Sequence, residues 1–364
     1  MKEPPDTRKQ KGSILVGVLV MLFLMGVVIT RFLDEAYREI TYQSQFQGQM
    51  DLRSQAYSAL DASLAALHEI RVIDGELYRQ SQGWHNPLEY SKFPIPEGSE
   101  ISVTLQDETG KLPIGHGDVA IWNLLFEAMG IDLADAETLT DSLIDWMDKD
   151  DFKRLNGAEV EDYDLDGKEY KPSNEMLKDF DELRHIQGFD ELFFNEDDGK
   201  PNQYYKWFEQ SVSLYSDHPV NVNTAQGLVL NILARMGGFN GDQFMQHMRG
   251  PDTIAGTGDD PFITDFQQIP GFGMGATPGG GNGSSSNLFG STSKMFNLQV
   301  KVKRGEAVFL IDTLVGPKGD DSGSVSGGAS RNSSQRSRPA SLTRSKSDGY
   351  YPFEIIHLTE NRIF

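Results

Sequence analysis

Residues 13–30 read SILVGVLVMLFLMGVVIT, and this stretch decides how the rest of the chain is placed. It holds no charged side chain. As a helix rising about 1.5 Å per residue it spans roughly 27 Å, close to the hydrocarbon thickness of a bilayer. A cleaved secretory signal is the alternative, but its apolar region is shorter and a small-residue cleavage site follows it. Arg31 and Asp34 follow here instead. We therefore predict a transmembrane helix that stays in the protein.

The distribution of charge predicts the orientation of this helix, and the net charge limits the classes of ligand that the protein is expected to bind. Basic residues precede the apolar stretch, so the positive-inside rule places the N-terminus in the cytoplasm. These residues are Lys2, Arg8, Lys9 and Lys11. The chain of 364 residues has a formal net charge of −21, which disfavours nucleic acids and anionic lipids and favours cations. It contains no Cys, so disulfides and thiolate metal sites are excluded.

The helix is predicted to continue beyond the membrane. No Pro occurs between residues 31 and 73, and apolar side chains recur there at spacings that form one stripe on a helix. They are Met50, Tyr57, Leu60, Leu64 and Leu67. Two interpretations stay open. The segment is a coiled-coil stalk, or it is the upper half of a long helix packed on a sheet.

Alternating patterns predict a small sheet at both ends of the soluble part. Glu100–Leu105 alternates before a turn, and Phe296–Lys303 and Ala307–Val315 alternate around Arg304-Gly305, which is typical of a β-hairpin. Residues 351–358 predict a last strand. Helical patterns dominate between the first strand and the hairpin. The predicted helices are Val119–Met129, Ala134–Met147, Asn174–His185, Tyr204–Ser211 and Thr224–Met236.

These patterns predict an α+β chain with an acidic all-α domain inserted at residues 117–271. Residues 31–116 then hold the long helix and the first strands, and residues 295–364 hold the C-terminal strands. Two Gly/Ser-rich stretches are predicted to be disordered, one within a linker at 272–294 and one at 316–349. The second is basic, which is compatible with a docking tail or with a solubilising loop.

The N-terminal pattern resembles the type IV pilin and pseudopilin family. A short basic leader ends at Gly12, and the apolar segment starts at Ser13. The resemblance implies that a prepilin peptidase removes residues 1–12 and methylates Ser13. Most members carry Glu at the fifth mature position, where this chain has Gly17. One subgroup also lacks that Glu, the K-type minor pseudopilin of type II secretion.

Motifs in the insert resemble the same K-type (GspK) family. Their order corresponds to the family pattern from about residue 141 to residue 271. They are Asp145-Trp-Met-Asp148-Lys-Asp150, Gly157-Ala-Glu159, Pro172-Ser-Asn174, Glu182-Leu-Arg-His-Ile-Gln-Gly188 and Val220-Asn-Val-Asn-Thr-Ala225. The resemblance implies a pilin-like fold, in which the N-terminal helix packs on a small antiparallel sheet. The inserted helical domain is expected to contain helix-hairpin-helix or SAM-like motifs.

The resemblance also implies a role and partners. K-type proteins start and then cap the pseudopilus that exports folded proteins, together with I-type and J-type minor pseudopilins. The prepilin peptidase, the major pseudopilin and the inner-membrane assembly platform are further implied partners. The expected location is the inner membrane, crossed once, with the N-terminus in the cytoplasm and the soluble part in the periplasm.

Acidic residues concentrate in the insert. Residues 132–200 contain 23 acidic and 8 basic side chains, a net charge of −15. Three clusters stand out within or near this region. They are Asp145, Asp148, Asp150, Asp151 and Glu159; then Asp162, Asp164, Asp166 and Gly167; and then Asp252, Asp259 and Asp260. Alternating carboxylates with a turn glycine are typical of calcium loops, but Ser173 stands where an EF-hand has its bidentate Glu.

The K-type resemblance implies calcium sites in the insert, so Ca²⁺ is the expected cofactor. By the match of motifs, the first expected ligands are Asp148, Asp150 and Glu159. Asp162, Asp164 and Asp166 come next. The alternative is that these carboxylates form a solvated acidic face or cap helices.

A second function draws on the same motifs. The segments 183–188 and 266–273 resemble helix-hairpin-helix turns, and residues 220–225 resemble the opening of a membrane-anchored DNA receptor of competence systems. Phosphate binding by such turns needs basic flanks. Arg184 and Arg235 are offset here by nearby Asp and Glu, so we expect packing motifs and no nucleic acid.

Catalysis is not expected. The seven His residues do not pair at metal-ligand spacing, and the chain has no nucleophile elbow, Walker loop or C-x-x-C motif. A hydrolase using paired carboxylates stays open as the catalytic alternative. The four Trp residues lie mostly in apolar helical settings and are expected in the core.

Overall fold

The computed structural model describes residues 9–165, 170–254, 256–273, 288–317 and 353–363. Helices and strands both contribute to it. The helices are α1 (Lys9–Asp74), α2 (Pro87–Tyr90), α3 (Val119–Ala128), α4 (Leu133–Met147), α5 (Val160–Leu165), α6 (Phe189–Phe193), α7 (Gln203–Ser211), α8 (Gly227–Gly237) and α9 (Gly241–His247). The strands are β1 (Glu100–Asp107), β2 (Leu112–Pro113), β3 (Val212–Ser213), β4 (Val220–Asn221), β5 (Phe289–Gly290), β6 (Phe296–Arg304), β7 (Ala307–Pro317) and β8 (Phe353–Ile363).

Helix α1 joins an exposed apolar half to a buried half. It has 66 residues, which corresponds to a length of about 100 Å. Ile14–Glu39 is long and apolar enough to cross a membrane, with a mean hydropathy of 2.5 and no part of its most apolar window buried. This is the one such helix among the described residues. The predicted long apolar helix near the N-terminus is confirmed, and its insertion in a membrane stays a prediction.

The second half of α1 packs on the sheet, which decides between the two interpretations of its apolar stripe. Ala56, Leu60, Leu64 and Leu67 are buried in one hydrophobic core with the inward side chains of β6 and β7. Met50 was expected in the stripe but is 47% exposed, and Leu52 is buried in its place. The stripe is therefore displaced by two residues at its lower end.

Four strands form one antiparallel sheet in the order β1-β6-β7-β8. β6 and β7 form the predicted hairpin, in which Arg304 pairs with Ala307 and Gly305 has a φ of +60°. A glycine tolerates this left-handed conformation without steric cost. The alternating burial along β6 turns Phe296, Leu298 and Val300 toward α1. A mixed fold with an antiparallel sheet is confirmed.

A second hydrophobic core is formed by residues that lie between β1 and β6 in the sequence, and most of these residues belong to helices. Aromatic rings fill its centre, with Phe126 stacked on Phe208 at 6.1 Å and Trp122 fully buried. Trp84 and Trp146 are also buried, as expected, whereas Trp207 is 36% exposed. The exact domain boundaries stay a prediction.

One predicted helix is wrong. Residues 174–179 are not helical, and a 3-10 helix at Phe180–His185 takes the place of the later residues. Asn174 has a φ of +49°, which an α-helix does not accommodate. Asp179 then caps the 3-10 helix, because its side chain accepts a hydrogen bond from the Asp181 amide at 2.8 Å. The helical spacing of apolar residues hid this break.

The disorder predicted for residues 273–293, within the linker at 272–294, is also wrong in its last part. Leu288 is buried, β5 pairs with β4 in parallel, and Ser293 is 3% exposed. The apolar pair Leu288 and Phe289 fills the helical core despite its Gly/Ser-rich neighbours. The stretch predicted to be disordered from residue 316 likewise begins inside β7. Residues 274–287 and 318–352 lie outside the described part of the chain.

Candidate functional site

The end of α4 and the loop after it gather the first acidic cluster. Asp145 lies on the last turn of α4 and its side chain is fully buried. Its Oδ2 accepts a hydrogen bond from the Arg154 amide at 3.0 Å, and its Oδ1 lies 3.4 Å from Arg154 Nε. Asp148 ends the helix with an extended backbone. The loop therefore folds back over the helix terminus and encloses its carboxylates.

Gly157 makes this close approach possible. A Cβ atom on residue 157 would lie 2.0 Å from Asp145 Oδ2 and 3.2 Å from the backbone carbon of Asp141. Only a residue without a side chain leaves the Asp145 carboxylate in place. Ala158 next to it is fully buried in the helical core, and Glu159 follows with 5% exposure. The Gly157-Ala158-Glu159 motif thus serves to deliver a carboxylate into the enclosed loop.

Four carboxylate oxygens in this loop are buried and have no hydrogen-bond partner. They are Asp145 Oδ1, Asp148 Oδ1, Glu159 Oε1 and Glu159 Oε2. A buried charged oxygen without a donor is costly, by about 1 to 3 kcal/mol or more. Oxygen atoms are the ligands that Ca²⁺ takes, commonly six to eight of them. The donor set therefore fits a hard divalent cation.

The electrostatics of the loop reflect the same crowding. Burial raises the pKa of Glu159 to about 7, with Asp145 and Asp148 adding to the rise by repulsion. Burial also raises the pKa of Asp145 to about 6 against the opposing effect of the Arg154 amide. The pKa of Asp148 is raised for the same first reason, followed by its proximity to Asp150. These groups compete for protons unless a cation compensates their charge.

The predicted ligands are distributed unevenly around this loop. Asp148 and Glu159 face the enclosed space together with Asp145, which was in the predicted cluster but not among the predicted ligands. Asp150 is exposed and accepts a hydrogen bond from the Phe152 amide at 3.0 Å. Residues Asp145, Asp148 and Glu159 must still draw closer to share one ion, because their ligand atoms do not all lie within 4.8 Å in the described structure.

The second group of predicted ligands contributes less to the enclosed space of this loop. Asp162 accepts hydrogen bonds from Lys153 Nζ at 2.7 Å and from the Glu159 amide at 2.9 Å, and its pKa is lowered chiefly by Lys153. It therefore caps α5 and neutralises a lysine. Asp164 is exposed on α5, and Asp166 lies outside the described residues. Asp162 thus makes the contacts expected of the helix-cap alternative, and its role as a calcium ligand stays a prediction.

The N-terminal residues implied in processing lie on α1. Gly12 and Ser13 are within the helix, ahead of the exposed apolar part. A Cβ atom added to Gly17 meets no atom within 4 Å. The fold of the single chain therefore does not require glycine at position 17.

The motif at residues 220–225 forms a polar joint between the two cores. Asp107 Oδ2, at the end of β1, accepts hydrogen bonds from Asn221 Nδ2 at 3.0 Å, Thr224 Oγ1 at 2.6 Å and Ser293 Oγ at 2.6 Å. Asn221 is fully buried and also donates to the Tyr78 carbonyl at 2.9 Å. This joint was missed from the sequence, where the motif was used only for its resemblance to known families.

The arginines beside the hairpin-like turns are engaged within the chain. Arg184 lies over the Phe194 ring at 4.4 Å and donates to the Gly199 carbonyl at 2.5 Å. Arg235 is 3.8 Å from Glu127. Both guanidinium groups therefore have partners within the chain, and the absence of nucleic-acid binding stays a prediction.

A family model describes the part of the chain that contains the acidic loop. Residues 104–196 match the model for "Type II secretion system (T2SS), protein K". The resemblance to the K-type pseudopilins is confirmed. Two relatives bear the same name, "Type II secretion system protein K". The K-type protein of Klebsiella pneumoniae is 26% identical over 199 residues, and that of Pseudomonas aeruginosa is 25% identical over 241 residues.

These alignments cover part of each protein. They include 51% of this chain and 60% of the Klebsiella K-type protein, and 61% of this chain and 68% of the Pseudomonas protein. A chain in the crystal structure of the GspK-GspI-GspJ complex from enterotoxigenic Escherichia coli has the same fold. It matches with a TM-score of 0.55 and 16% identity, over 89% of this chain and 99% of the solved one.

Proposed function

We propose that this protein is a minor pseudopilin that initiates and then caps the tip of the type II secretion pseudopilus. The observation that carries the proposal is the continuity of α1, whose exposed apolar half runs without a break into the half that packs on the sheet. A filament subunit built in a membrane needs one element that is held by lipid and also supports the soluble domain. The similarity to K-type proteins supports the same role. The role is structural and requires no catalysis.

The proposed partners are I-type and J-type minor pseudopilins. The solved neighbour occurs in a complex named with GspI and GspJ, which supports this assignment. The prepilin peptidase, the major pseudopilin and the inner-membrane assembly platform complete the proposed set. We place the N-terminus in the cytoplasm and the soluble part in the periplasm, because the basic residues precede the apolar helix.

Processing after Gly12 follows from this role. The peptidase must reach the residue before the apolar helix, and the mature protein would begin at a methylated Ser13. Mass analysis of the N-terminus of protein extracted from membranes tests this. We expect Ser13 first with one added methyl group, whereas a mature N-terminus beyond Thr30 would identify a cleaved secretory signal.

We also propose that the loop after α4 binds Ca²⁺ through Asp145, Asp148 and Glu159, with Asp150 at its edge. The four buried oxygens without a hydrogen bond support this assignment, although one of them, Asp145 Oδ1, lies 3.4 Å from Arg154 Nε. The ion would neutralise the loop and fix it over the helix terminus. Binding to the folded state alone stabilises it by about 2.7 kcal/mol at 100-fold saturation.

Thermal unfolding of the full chain in detergent tests the calcium centre. The melting temperature should rise in millimolar Ca²⁺ and fall in chelator, and Asp148→Ala with Asp150→Ala should remove most of the rise. The matched control is the exposed Asp197→Ala, which should respond as the wild type does. An unchanged response in the double variant would show that the loop after α4 does not bind the ion.

The helix-hairpin-helix or SAM-like turns are proposed as packing motifs. DNA uptake is the alternative function, and a deletion in the source bacterium separates the two. Loss of protein secretion with normal DNA uptake, restored by the complete gene, supports the pseudopilin role. Loss of DNA uptake with normal secretion would overturn it.

A further inference from the structure

We propose that the described parts of the loop after α9, residues 252–254 and 256–260, bind a second divalent cation of the size of Ca²⁺. Its ligands are the carboxylates of Asp252, Asp259 and Asp260, and the ion holds the end of the helical domain on the turn that follows α1. The site lies outside residues 104–196, which match the family model, and it is separate from the loop after α4.

The distances suit one ion. Each of the three residues offers a carboxylate oxygen, and these oxygens all lie within 4.8 Å of one another. Two oxygens bound to the same Ca²⁺ at about 2.4 Å are at most about 4.8 Å apart. The three carboxylates therefore already have the spacing that a shared calcium ion imposes.

A buried oxygen without a partner is the second, independent observation. The Asp260 side chain is fully buried. Its Oδ2 accepts a hydrogen bond from the Gly256 amide at 2.7 Å and lies 3.4 Å from an Arg79 guanidinium nitrogen. Its Oδ1 is buried with no hydrogen-bond partner. Buried polar atoms are almost always paired, so this oxygen calls for a ligand that the described protein atoms do not supply.

The charge balance favours a cation. Three carboxylates meet here, and Arg79 is the positive side chain in contact with Asp260. One guanidinium leaves a formal excess of two negative charges among these three carboxylates. A divalent ion would neutralise them.

The loop is built to hold its carboxylates in place. Thr257 Oγ1 donates to Asp259 Oδ1 at 2.7 Å. A Cβ atom on residue 250 would lie 2.7 Å from the Asp259 carbonyl oxygen and 3.1 Å from its Oδ2, so Gly250 lets the chain close on itself. The acidic side chains are therefore oriented before any ion binds, which lowers the entropic cost of binding.

The position of the loop indicates what a bound ion would do for the structure. Arg79 also donates to the carbonyls of Met248 and Pro261, and Ser81 Oγ donates to the Asp260 carbonyl at 3.1 Å. Tyr78 stacks on Phe262 at 4.8 Å. Residues 78–81 follow α1 directly, so an ion that stiffens the loop also fixes the helical domain relative to the pilin-like part.

Counting bound ions tests the proposal. The full chain in detergent is dialysed against CaCl₂, and bound calcium is measured by atomic emission. In an Asp148→Ala, Asp150→Ala background we expect one calcium ion per chain to persist. Adding Asp252→Asn with Asp259→Asn should remove it, whereas adding the exposed Asp242→Asn should not. Asp252 and Asp259 are exposed, so these isosteric changes leave the fold intact.

The outcomes separate the two centres. Equal calcium content with and without Asp252→Asn and Asp259→Asn would overturn the proposal, and so would a background that binds no calcium. A background that binds as much calcium as the wild type would instead overturn the centre after α4 and leave this one standing. As a second readout, tryptic cleavage after the exposed Arg249 should slow several-fold in Ca²⁺, and the paired Asn variants should lose this protection.

Discussion

At the residue scale, Gly157 is the position on which the acidic loop depends most directly. Replacement by Ala would place Cβ 2.0 Å from Asp145 Oδ2, so the buried carboxylate or the loop has to move. We expect Gly157→Ala to lower the free energy of unfolding by about 1 to 3 kcal/mol, the usual cost of overpacking. Thermal unfolding of the full chain measures this.

The control for this substitution is Gly241→Ala. There the added Cβ would meet the Ala234 Cβ at 3.5 Å, an ordinary contact, so the melting temperature should change little. Equal effects of the two substitutions would show that the close approach to Asp145 carries no special cost.

The raised pKa of Glu159 predicts that the stability of the folded chain depends on pH in the presence of chelator. Its pKa is about 7 in the folded chain against 4.5 for the ordinary side chain. Between these values the folded state holds a proton that the unfolded state has released. Stability therefore falls as pH rises from about 4.5 through 7, and the loss is complete above 7. Glu159→Gln removes this contribution and should stabilise the chain at pH 8 by on the order of 1 to 3 kcal/mol.

Unfolding of wild type and Glu159→Gln at pH 5 and pH 8 checks the sign. The difference in unfolding free energy between these two proteins should be much larger at pH 8 than at pH 5. The exposed Glu161→Gln should behave as the wild type does. A variant that is less stable than the wild type at pH 8 in chelator would contradict the assignment of a buried, uncompensated carboxylate.

At the element scale, the polar joint at the end of β1 links the sheet to the helical domain. Asn221→Ala would remove donors to Asp107 and to the Tyr78 carbonyl. Because these acceptors are enclosed, we expect a loss of about 1 to 3 kcal/mol in unfolding free energy. The exposed Asn195→Ala is the control, and its melting temperature should stay near that of the wild type. A neutral Asn221→Ala would mean that water replaces the lost donors.

Elements with strong local periodicity could be predicted from the sequence. The alternation along β6 and β7 and the helical spacing of α3, α4 and α7 reflect burial of one face, which the pattern records directly. The break at Asn174 could not be predicted, because it depends on a single left-handed residue and the Asp179 cap. β5 was missed since two apolar residues in a Gly/Ser-rich stretch carry too little pattern.

The acidic loop could be predicted in part. Its location followed from the spacing of the motifs. Which carboxylates face the enclosed space and which pair with other side chains depends on tertiary contacts. Asp162 pairs with Lys153 only because the loop folds back on α5, and Asp145 faces inward because of the buried side of α4. The loop at 252–260 was visible as an acidic cluster. Its link to Arg79 joins residues far apart in sequence, which no local pattern reveals.

At the scale of the whole molecule, the central claim is that this subunit occupies the tip of a filament. In pilin-like filaments, by the family resemblance, the carboxylate at the fifth mature position meets the N-terminal amine of an adjacent subunit in an apolar bundle. A charge without a partner there is costly. Gly17 offers no carboxylate, and the isolated fold does not require glycine there. The helical domain adds bulk that a shaft position would crowd against the next layer.

Imaging the labelled protein on filaments tests this claim most directly. Cells that overexpress the major subunit produce long filaments, and a label on the helical domain reports where this chain sits. We predict label at one end of each filament for the wild type. Label spaced along the shaft would contradict the tip position, as would a Gly17→Glu variant that enters the shaft as readily as the major subunit does.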